Sequence, residues 1–590
     1  MKAIICLSMF VTVGFNAAQA DTELTVTNLR CEYQVDPLGI EDFHPRMSWM
    51  LSVEGSGPSV PRGVTQSSYQ ILVASSPERL GMDQGDLWDS GKVESHQSIQ
   101  VEYAGKPLTS RQSCYWKVRV WDSQMNLSAW SAPARWSMGL LNPEDWKARW
   151  ITAEEAGQTV LEDLAWVWSD KAKQGDPSIR APGTRWFRRR FTVADRSTIA
   201  KATLSLTADN SFAAYLNGKQ VQEGSTWETL VETEVVSQLA PGENILAVVA
   251  TNEGNAPNPA GLLGRLTLNK TDGGQITIPV DSEWRTSNRS AEDWNQITFD
   301  DSTWTPAVQL HPYGGGQWGR KVKSPSCLPL LRTSFRVDKP VRRAELAICG
   351  LGFYEARING QPLDDAVLEP GWTNYRKSCL YRVVDLSDRI VLGENVLGVL
   401  LGNGMYNVTG GRYTKFTGSF GPPKLIAQLN IEYADGTTGC VVTDGNWKTA
   451  DGPIVFSCIY GGEDYDARKE LPGWDKSGFD TSAWRGVKEC DGPGGRLSTR
   501  SAPPIKVRET FQPAKITQPK PGVWVYDLGQ NFSGWPKLTV SGPAGSTVKM
   551  ITGELLDGEG LVSQRSSGGP VWFAYTLKGE GTETWNPRFS

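Results

Sequence analysis

The sequence contains few of the residues that bind transition metals. Histidine occurs only as His44, His96 and His311, and the nine cysteines include no Cys-x-x-Cys motif. Structural zinc sites need several closely spaced cysteine or histidine ligands, so this distribution argues against a zinc centre. Nine scattered cysteines in 590 residues also argue against a scaffold held together by disulfides.

The sequence also lacks a strong net charge and long apolar segments. Lysine plus arginine and aspartate plus glutamate nearly balance at 60 and 65, which leaves a formal net charge of −5. A charge this small argues against electrostatic binding to nucleic acid or to an anionic membrane surface. No segment has the length and apolar character of a membrane-spanning helix. We therefore expect no nucleic-acid partner and no membrane insertion.

The first twenty residues have the pattern of a secretory signal peptide. Lys2 gives a positive start, and the apolar run from Ala3 to Gly14 is too short to span a bilayer. Ala18-Gln19-Ala20 then supplies the small-x-small cleavage pattern. We expect cleavage over residues 1–20, a mature chain that starts at Asp21, and a secreted or periplasmic location.

Glycine, proline and tryptophan are abundant. The sequence contains 61 Gly, 35 Pro and 24 Trp, and Gly and Pro typically separate many short strands. The segment from Trp116 to Val120 alternates apolar and charged residues, as a half-buried strand does. About a hundred residues of this kind predict a fibronectin type III-like β-sandwich over 21–142, which we interpret as a spacer.

A degenerate repeat occupies the middle of the chain. Both copies contain, in one order, a strand with Arg and Phe, an Asn-Gly turn, a Gly-Glu-Asn turn, a Trp-basic-Thr triplet and a Phe-Asp-x-Ser-x-Trp motif. Each Asn-Gly lies between alternating strands and predicts a hairpin, because both turn positions need positive φ. A repeat unit of this length is a whole domain. The segments are Trp186–Val193, Ala213–Lys219, Pro241–Leu246, Ser282–Thr286 and Phe299–Trp304, then Leu331–Val337, Glu355–Gln361, Leu392–Leu397, Asp444–Thr449 and Phe479–Trp484.

The predicted fold class is all-β, with tandem β-sandwiches. A fibronectin type III-like domain is followed by two jelly-roll, galactose-binding-like domains over 143–322 and 323–502, of which the first is the carbohydrate-binding-like copy. Ala502-Pro503-Pro504 opens a last segment, 503–590, with further strand patterns. Because a strand pattern still runs at Trp585–Ser590, and a sandwich short of strands exposes an unpaired edge, we interpret this last domain as truncated.

Further motifs follow one another in a fixed order along nearly all of the mature chain. They are Arg46–Trp49, Leu87–Val93, Tyr115–Asp122, Trp146–Ile151, Glu369–Thr373, Leu401–Tyr406, Gly461–Arg468, Pro472–Trp474 and Tyr526–Asn531. Each is weak alone, but together they resemble glycoside hydrolase family 78, the bacterial α-L-rhamnosidases. The resemblance identifies 503–590 as a concanavalin-like rhamnosidase β-domain and 323–502 as the rhamnosidase N-terminal jelly roll.

The resemblance implies inverting hydrolysis of terminal α-L-rhamnose in plant or bacterial glycans. It places the two catalytic carboxylates in a C-terminal (α/α)6 barrel, roughly 6.5–9.5 Å apart so that a water fits between them. The sequence has no run of paired amphipathic helices, so we assign no catalytic residue. We expect the chain to be the non-catalytic β-domain portion of such an enzyme, inactive alone.

Glu463, Asp464 and Asp466 form the densest acidic group in the sequence. Two carboxylates are what glycoside hydrolysis requires, which makes the group a catalytic candidate. Arg468 is close by, and we therefore interpret the group as solvated or paired with arginine. The resemblance adds a supporting role at the domain interface that faces the barrel.

The first copy carries a candidate calcium site. Asp209 and Asn210 end a predicted strand, whereas the second copy has Gly350-Leu351-Gly352 at this point, so the pair is not needed to build the sandwich. Carboxylate and amide oxygens suit Ca²⁺, and we expect Asp209 and Asn210 to bind it. The alternative is that the two residues form an Asx turn.

This part of the first copy resembles the rhamnose-binding module of some family members, in which calcium supports the contact with sugar. The loop that begins at Asn252 to Asn255 supplies Asn252 and Asn255 as carbohydrate-binding candidates, and Trp227 is a candidate for stacking on a sugar ring. The expected partner is a rhamnose-containing oligo- or polysaccharide.

Three functions remain open from the sequence. The chain is the inactive β-domain portion of a rhamnosidase, an autonomous exported rhamnose-binding protein, or a glycosidase whose site is built from the β-domains themselves. Carbohydrate is the partner in all three.

Overall fold

The computed structural model describes residues 24–53, 63–153, 161–169, 175–322, 327–408, 410, 412–413, 415–500 and 502–590. Over these residues the chain forms 46 strands, one short α-helix and five 3₁₀ helices. The prediction of an all-β fold with tandem sandwiches is confirmed. The predicted signal peptide lies outside the described residues. None of the helices in the described ranges has the length and apolar character needed to cross a membrane.

The N-terminal unit packs a three-stranded sheet, β1-β2-β6, against a five-stranded sheet centred on β3 and β7. Trp49, Trp116 and Trp136 fill the space between the sheets and are almost wholly buried. The alternating segment predicted as a strand lies in the middle of β7. The elements are β1 Leu24–Cys31, β2 Arg46–Val53, β3 Gln66–Ala74, α1 Pro77–Gly81, β4 Trp88–Asp89, β5 Val93–Glu94, β6 Val101–Glu102, β7 Ser113–Asp122 and β8 Ala134–Ser137.

The first copy of the repeat, residues 161–322, is a sandwich of two six-stranded sheets. One has the order β16-β13-β19-β10-β23 with β20 beside β19, and the other has the order β15-β14-β17-β12-β21-β22. Leu204, Leu206, Val248 and Leu262 belong to the core between them. The strands from β9 onward are β9 Trp150–Ala153, β10 Ala165–Trp168, β11 Ile179–Arg180, β12 Gly183–Val193, β13 Ile199–Asp209, β14 Ser211–Leu216, β15 Lys219–Gly224, β16 Val231–Glu234, β17 Gly242–Asn252, β18 Asn258–Pro259, β19 Gly261–Lys270, β20 Gln275–Pro279, β21 Arg285–Ser287, β22 Thr305–Pro306 and β23 Val308–Pro312.

The second copy, residues 327–499, encloses a core that contains Leu346, Ile348, Val399 and Leu429. Here β9 and β37 join the strands into one twelve-stranded sheet, in the order β27-β26-β29-β24-β34-β37-β9-β32-β25-β28-β38 with β33 beside β32. Its strands are β24 Pro329–Val337, β25 Val341–Leu351, β26 Phe353–Ile358, β27 Gln361–Pro362, β28 Ser378–Asp385, β29 Gly393–Gly402, β30 Asn407–Val408, β31 Gly418–Ser419, β32 Lys424–Tyr433, β33 Thr438–Val442, β34 Lys448–Asp451, β35 Ile454–Cys458, β36 Gly462–Asp466, β37 Arg485–Cys490 and β38 Arg496–Thr499.

The terminal segment, residues 502–590, is joined to the second copy through a shared sheet. In this sheet β36 of the second copy pairs in parallel with β45, and Tyr465 stacks on Tyr575 across the pair. The strands are β39 Lys515–Lys520, β40 Val523–Asp527, β41 Leu538–Ser541, β42 Thr547–Met550, β43 Leu555–Leu556, β44 Val562–Ser563, β45 Phe573–Thr576 and β46 Thr582–Trp585. The 3₁₀ helices of the chain are Pro143–Asp145, Arg196–Thr198, Val236–Gln238, Gly316–Trp318 and Ala467–Lys469.

Both predicted Asn-Gly turns form two-residue hairpins. Leu216 pairs with Lys219 in the first copy, and Ile358 pairs with Gln361 in the second. The φ angles are +52° and +85° at Asn217 and Gly218, and the second turn repeats them closely. A two-residue turn with both φ angles positive matches the right-handed twist of the strands it joins.

Strand β9 does not belong to the sandwich in which the predicted boundary at residue 143 places it. It lies before the first copy in sequence, within the predicted range 143–322, yet it pairs with β32 and β37 of the second copy. Ile151 in β9 is fully buried in the second copy's core. The first copy is therefore an insertion between β9 and β24 of the second sandwich, a relation set by long-range pairing rather than by local pattern.

Candidate functional site

The candidate site lies where β13 ends in the first copy. Leu204, Leu206 and Ala208 of this strand belong to the sandwich core. Because successive side chains of a strand point to opposite faces, Thr207 and Asp209 face away from that core. A second apolar cluster covers this outer face and includes Trp166, Leu263 and Trp318. The carboxyl of Asp209, whose residue is only 6% exposed, is thereby buried beneath tryptophan.

A hydrogen bond fixes Asp209 to this cluster. The indole Nε1 of Trp318 donates to Oδ2 of Asp209 at 2.8 Å. Trp318 in turn stacks on Trp166, with ring centroids 4.3 Å apart and planes inclined by 20°. Burial raises the pKa of the Asp209 carboxyl, and the hydrogen bond from Trp318 opposes that shift. Within the described residues no hydrogen bond reaches the other carboxylate oxygen, Oδ1, so that oxygen remains available to a ligand.

Trp227, predicted from the sequence, packs partly buried against the same cluster as Trp318. The ammonium of Lys321 lies 6.0 Å from the centroid of its ring. The structure therefore brings together Asp209 and Trp227, and it adds Trp318 and Lys321, which the sequence analysis did not identify. The sequence feature that could have indicated Trp318 is its place in the glycine-rich stretch 314–319.

The predicted asparagines have different positions. Oδ1 of Asn210 accepts the backbone N–H of Glu253 at 2.8 Å, which ties the strand end to the following loop. Asn252 is buried at the end of β17 and donates to the carbonyls of Arg180 and Ala181, while its own Oδ1 is buried without a hydrogen-bond partner. Asn255 is exposed in the loop. Asn210 therefore adjoins Asp209, and Asn252 serves mainly to anchor the neighbouring backbone.

The oxygen donors at this position fit a hard cation. Asp209 offers the free Oδ1, and Asn210 offers an amide oxygen on the adjacent residue, a donor set that suits Ca²⁺. Over the described ranges, no three or more His, Cys, Asp or Glu side chains gather into a group that could hold a metal ion. Any calcium site here would therefore use amide, backbone or water oxygens beside Asp209.

The acidic group of β36 lies at the junction between the second copy and the terminal segment. Glu463 is fully buried, and its two carboxylate oxygens accept the backbone N–H groups of Arg588 and Phe589 at 3.0 and 3.1 Å. Burial raises the pKa of Glu463 to about 8. This carboxyl fixes the backbone of the terminal segment onto the second copy.

The other two acidic residues of β36 are paired with arginine. Asp464 forms an ion pair with Arg412, whose guanidinium lies 3.8 Å from the centroid of the Trp572 ring. Asp466 accepts two hydrogen bonds of 2.8 Å from the guanidinium of Arg468 and a third from its backbone N–H. The interpretation of an arginine-paired group therefore holds for Asp464 and Asp466, whereas Glu463 is buried against backbone N–H groups instead.

Tandem β-sandwiches, one of which buries a carboxylate beneath tryptophan at its end, define the class of this chain: it is a multi-domain β-sandwich protein. Family models match three stretches of it. A Rha78A-like N-terminal immunoglobulin domain matches 26–142, an alpha-L-rhamnosidase N-terminal domain matches 339–509, and a bacterial alpha-L-rhamnosidase concanavalin-like domain matches 517–590.

Curated relatives agree with these matches. An alpha-L-rhamnosidase of Streptomyces avermitilis is 38% identical over 96% of this chain and 55% of its own length, and one of Formosa agariphila is 28% identical over 100% and 47%. The crystal structure of the Streptomyces avermitilis alpha-L-rhamnosidase complexed with L-rhamnose superposes with a TM-score of 0.80, over 96% of this chain and 55% of that one. The chain belongs to the bacterial α-L-rhamnosidases, glycoside hydrolase family 78, and it spans about half the length of the curated relatives it matches.

Proposed function

We propose that the chain is the glycan-binding β-domain part of an exported α-L-rhamnosidase that acts on terminal α-L-rhamnose, and that it is inactive alone. The first copy is its rhamnose-binding module, with Asp209 at the centre of the binding site. The observation that carries the proposal is the buried Asp209 carboxyl held by Trp318 at an end of the first sandwich. The relative crystallised with L-rhamnose supports the sugar class.

The residues of this site have separable tasks. Asp209 and Asn210 would hold Ca²⁺, which would supply positive charge to the hydroxyl groups of a bound sugar. Trp318 holds the Asp209 side chain in place through its indole N–H. The partly buried ring of Trp227 offers an apolar face on which a sugar ring can stack.

The acidic group at β36 supports a non-catalytic role for these domains. Hydrolysis with inversion needs one carboxyl that donates a proton and one that activates a water across the bond. Glu463 instead holds two backbone N–H groups, and Asp464 and Asp466 are paired with arginine.

An autonomous rhamnose-binding protein is the second candidate, because all residues of the Asp209 site come from the first copy.

The test is calorimetric titration of the 590-residue chain with L-rhamnose, with added calcium and after chelation. Asp209→Asn keeps the shape of the side chain but removes its charge. Because of this lost charge we expect at least about tenfold weaker binding of calcium and sugar, which corresponds to about 1.4 kcal/mol. Asp272→Asn, at an exposed turn of the same sandwich, is the matched control and should bind as the parent does.

Two results would contradict the proposal. The first is unchanged rhamnose binding by Asp209→Asn. The second is hydrolysis of an aryl α-L-rhamnoside by the parent chain that Glu463→Gln or Asp466→Asn abolishes, which would place a catalytic site in the β-domains.

A further inference from the structure

A cavity of about 180 Å³ lies on the first copy at the end of the pairing between β12 and β21. Arg188 pairs with Arg285, the first residue of β21, so the β12 backbone from Arg189 onward has no β21 partner on that side. We call this cavity the arginine pocket. Its lining consists of Arg188, Arg189, Arg190, Glu283, Arg285 and Asp301. Four guanidinium groups thus meet two carboxylates.

Arg188 has a structural task that the second copy repeats. Its fully buried guanidinium contacts Asp301 at 2.8 Å and donates to the carbonyls of Gln296 and Phe299. In the second copy Arg332 donates to the carbonyls of Lys476 and Phe479 in the same way. This arginine therefore secures a loop in both sandwiches.

Arg189 and Arg190 have no such counterpart. The registers align the copies, because Phe191 pairs with Asn244 in the first sandwich and Phe335 pairs with Asn395 in the second. At this alignment Arg189 and Arg190 correspond to Thr333 and Ser334. The second sandwich forms without either charge, so a sandwich of this kind does not require the two arginines.

The guanidinium groups of the pocket are only partly satisfied. Nε of Arg189 is buried without a hydrogen-bond partner, and its other end pairs with Glu283, whose side chain is 66% exposed. Nη2 of Arg190 donates to the carbonyl of Phe299 at 2.7 Å, whereas its Nη1 lies 3.9 Å from the exposed carboxylate of Glu243 and its Nε lies 4.0 Å from Asp301. In the described part of the chain no carboxylate forms an ion pair with Arg285.

We infer that the arginine pocket binds the oxyanion of an acidic saccharide, either the carboxylate of a uronic acid or a sulfate ester. The planar fork of arginine matches such oxyanions with paired, charge-assisted hydrogen bonds. An incoming oxyanion would take the position of the exposed Glu283 carboxylate at Arg189 and would add contacts to Arg190 and Arg285. That the ligand is a saccharide rests on the proposed function.

The pocket is distinct from the Asp209 site. Asn252, beside Asn210, pairs with Gly183 at one end of β12, and Arg189 is six residues further along this strand. At about 3.3 Å per residue the two sites are roughly 20 Å apart along the sheet. One glycan that carries rhamnose and an acidic sugar could therefore contact both.

The test uses the 590-residue chain and calorimetric titration with an oligogalacturonate, a sulfated galactose oligomer and a neutral galactose oligomer of equal length. The double variant Arg189→Thr/Arg190→Ser carries the residues that the second copy has at these positions. We expect the parent to bind an acidic oligomer, and the variant to bind it at least about tenfold more weakly, because charge-assisted pairs are lost. The two acidic probes distinguish carboxylate from sulfate.

The matched control is Arg336→Ser/Arg496→Ser, which removes two exposed arginines of the second copy. It should bind the acidic oligomer as the parent does. Three results would overturn the inference. The first is an equal loss of acidic-oligomer affinity in both double variants, the second is binding of the neutral oligomer as tight as that of the acidic ones, and the third is unchanged acidic-oligomer binding by Arg189→Thr/Arg190→Ser. Two further titrations show which of the two proposals fails. L-rhamnose binding by Arg189→Thr/Arg190→Ser tests the Asp209 site when the arginine pocket is altered, and acidic-oligomer binding by Asp209→Asn tests the arginine pocket when the Asp209 site is altered.

Discussion

Glu463 is the residue whose environment departs furthest from that of a typical surface carboxyl. It is fully buried at the junction of the second copy and the terminal segment, and burial raises its pKa to about 8. Its partners are the backbone N–H groups of Arg588 and Phe589. The charged groups that face it are Arg588 and Glu355, which form an ion pair with each other. This carboxyl therefore couples the attachment of the terminal segment to pH.

The sign of this coupling follows from the two pKa values. The pKa of Glu463 is about 8 in the folded chain and 4.5 as its ordinary value, so between these values the unfolded chain binds fewer protons. Its contribution to stability is fully present below pH 4.5 and is lost as the pH rises through 8, by at most about 1.4 kcal/mol per pH unit.

Glu463→Gln resembles the neutral form and does not titrate. Its NH2 group replaces one of the two oxygens that accept the backbone N–H groups of Arg588 and Phe589, so we expect it to be less stable than the parent near pH 5. We expect this difference to shrink as the pH rises to 9, because only the parent loses stability over that range, measured by scanning calorimetry at several pH values. Glu580→Gln, at an exposed carboxylate, should follow the parent throughout. A parent that gains stability over Glu463→Gln with rising pH would show instead that the carboxylate is held ionised.

At the residue scale the sequence predicted part of the candidate site. Asp209 could be found because the second copy lacks it, and Trp227 could be found as a tryptophan near that strand. Trp318 could not, because it lies 109 positions from Asp209 and only the packing of the outer face brings its indole to the carboxyl. The same reasoning applies to Glu463, whose partners are backbone groups more than 120 positions away.

At the scale of elements, both copies share an asparagine pair, with one member fully buried, that joins a hairpin to the next strand. In the first copy Asn217 donates to Oδ1 of Asn244 at 2.8 Å and accepts the N–H of Ile245. In the second copy Asn359 and Asn395 repeat the contact at 2.8 Å. The asparagines of the Asn-Gly and Gly-Glu-Asn turns, predicted separately as local turns, therefore form one unit.

Removal of one member should destabilise its own sandwich. Asn395 is fully buried and makes four hydrogen bonds, to Asn359, to both backbone groups of Val391 and to Gly393. Asn395→Ala leaves these partners unsatisfied and should cost about 3 kcal/mol of unfolding free energy. Denaturant unfolding measures the loss. The exposed Asn446, whose side chain donates to Asp444, provides the control, and Asn446→Ala should change the free energy by less than about 0.5 kcal/mol. Similar effects from both substitutions would contradict this account.

The hairpins and the repeat could be predicted at this scale because their signals are local. Asn-Gly requires two positive φ angles, and a strand with one buried face alternates along its own sequence. The joining of strands from different parts of the chain could not be predicted in this way. The parallel pair of β36 and β45 links segments about a hundred residues apart, and neither segment carries a pattern that names the other.

At the scale of the whole molecule, the first copy is inserted into the second. β9 enters the second sandwich between β32 and β37, and the chain returns to that sandwich only at β24. Lys147 just before β9 also donates its backbone N–H to Gln428 of the second copy at 2.7 Å. The residues from Lys147 to Ala153 are thus part of the second sandwich, although the composition of the sequence groups them with the first.

Excision of the insertion tests this architecture. In the first variant, residues 154–326 are replaced by a linker of about ten Gly and Ser residues. A linker of this length spans the distance from the end of β9 to the start of β24, because only two strands, β34 and β37, lie between them at a spacing of about 4.8 Å. We expect the second sandwich to keep its calorimetric transition. Removal of 143–322 with the same linker also deletes β9, exposes the edges of β32 and β37, and takes the buried Ile151 from the core. It should cost about 3 kcal/mol or more and promote aggregation. Equal stability of the two deletions would show that β9 is dispensable and that the insertion begins before it.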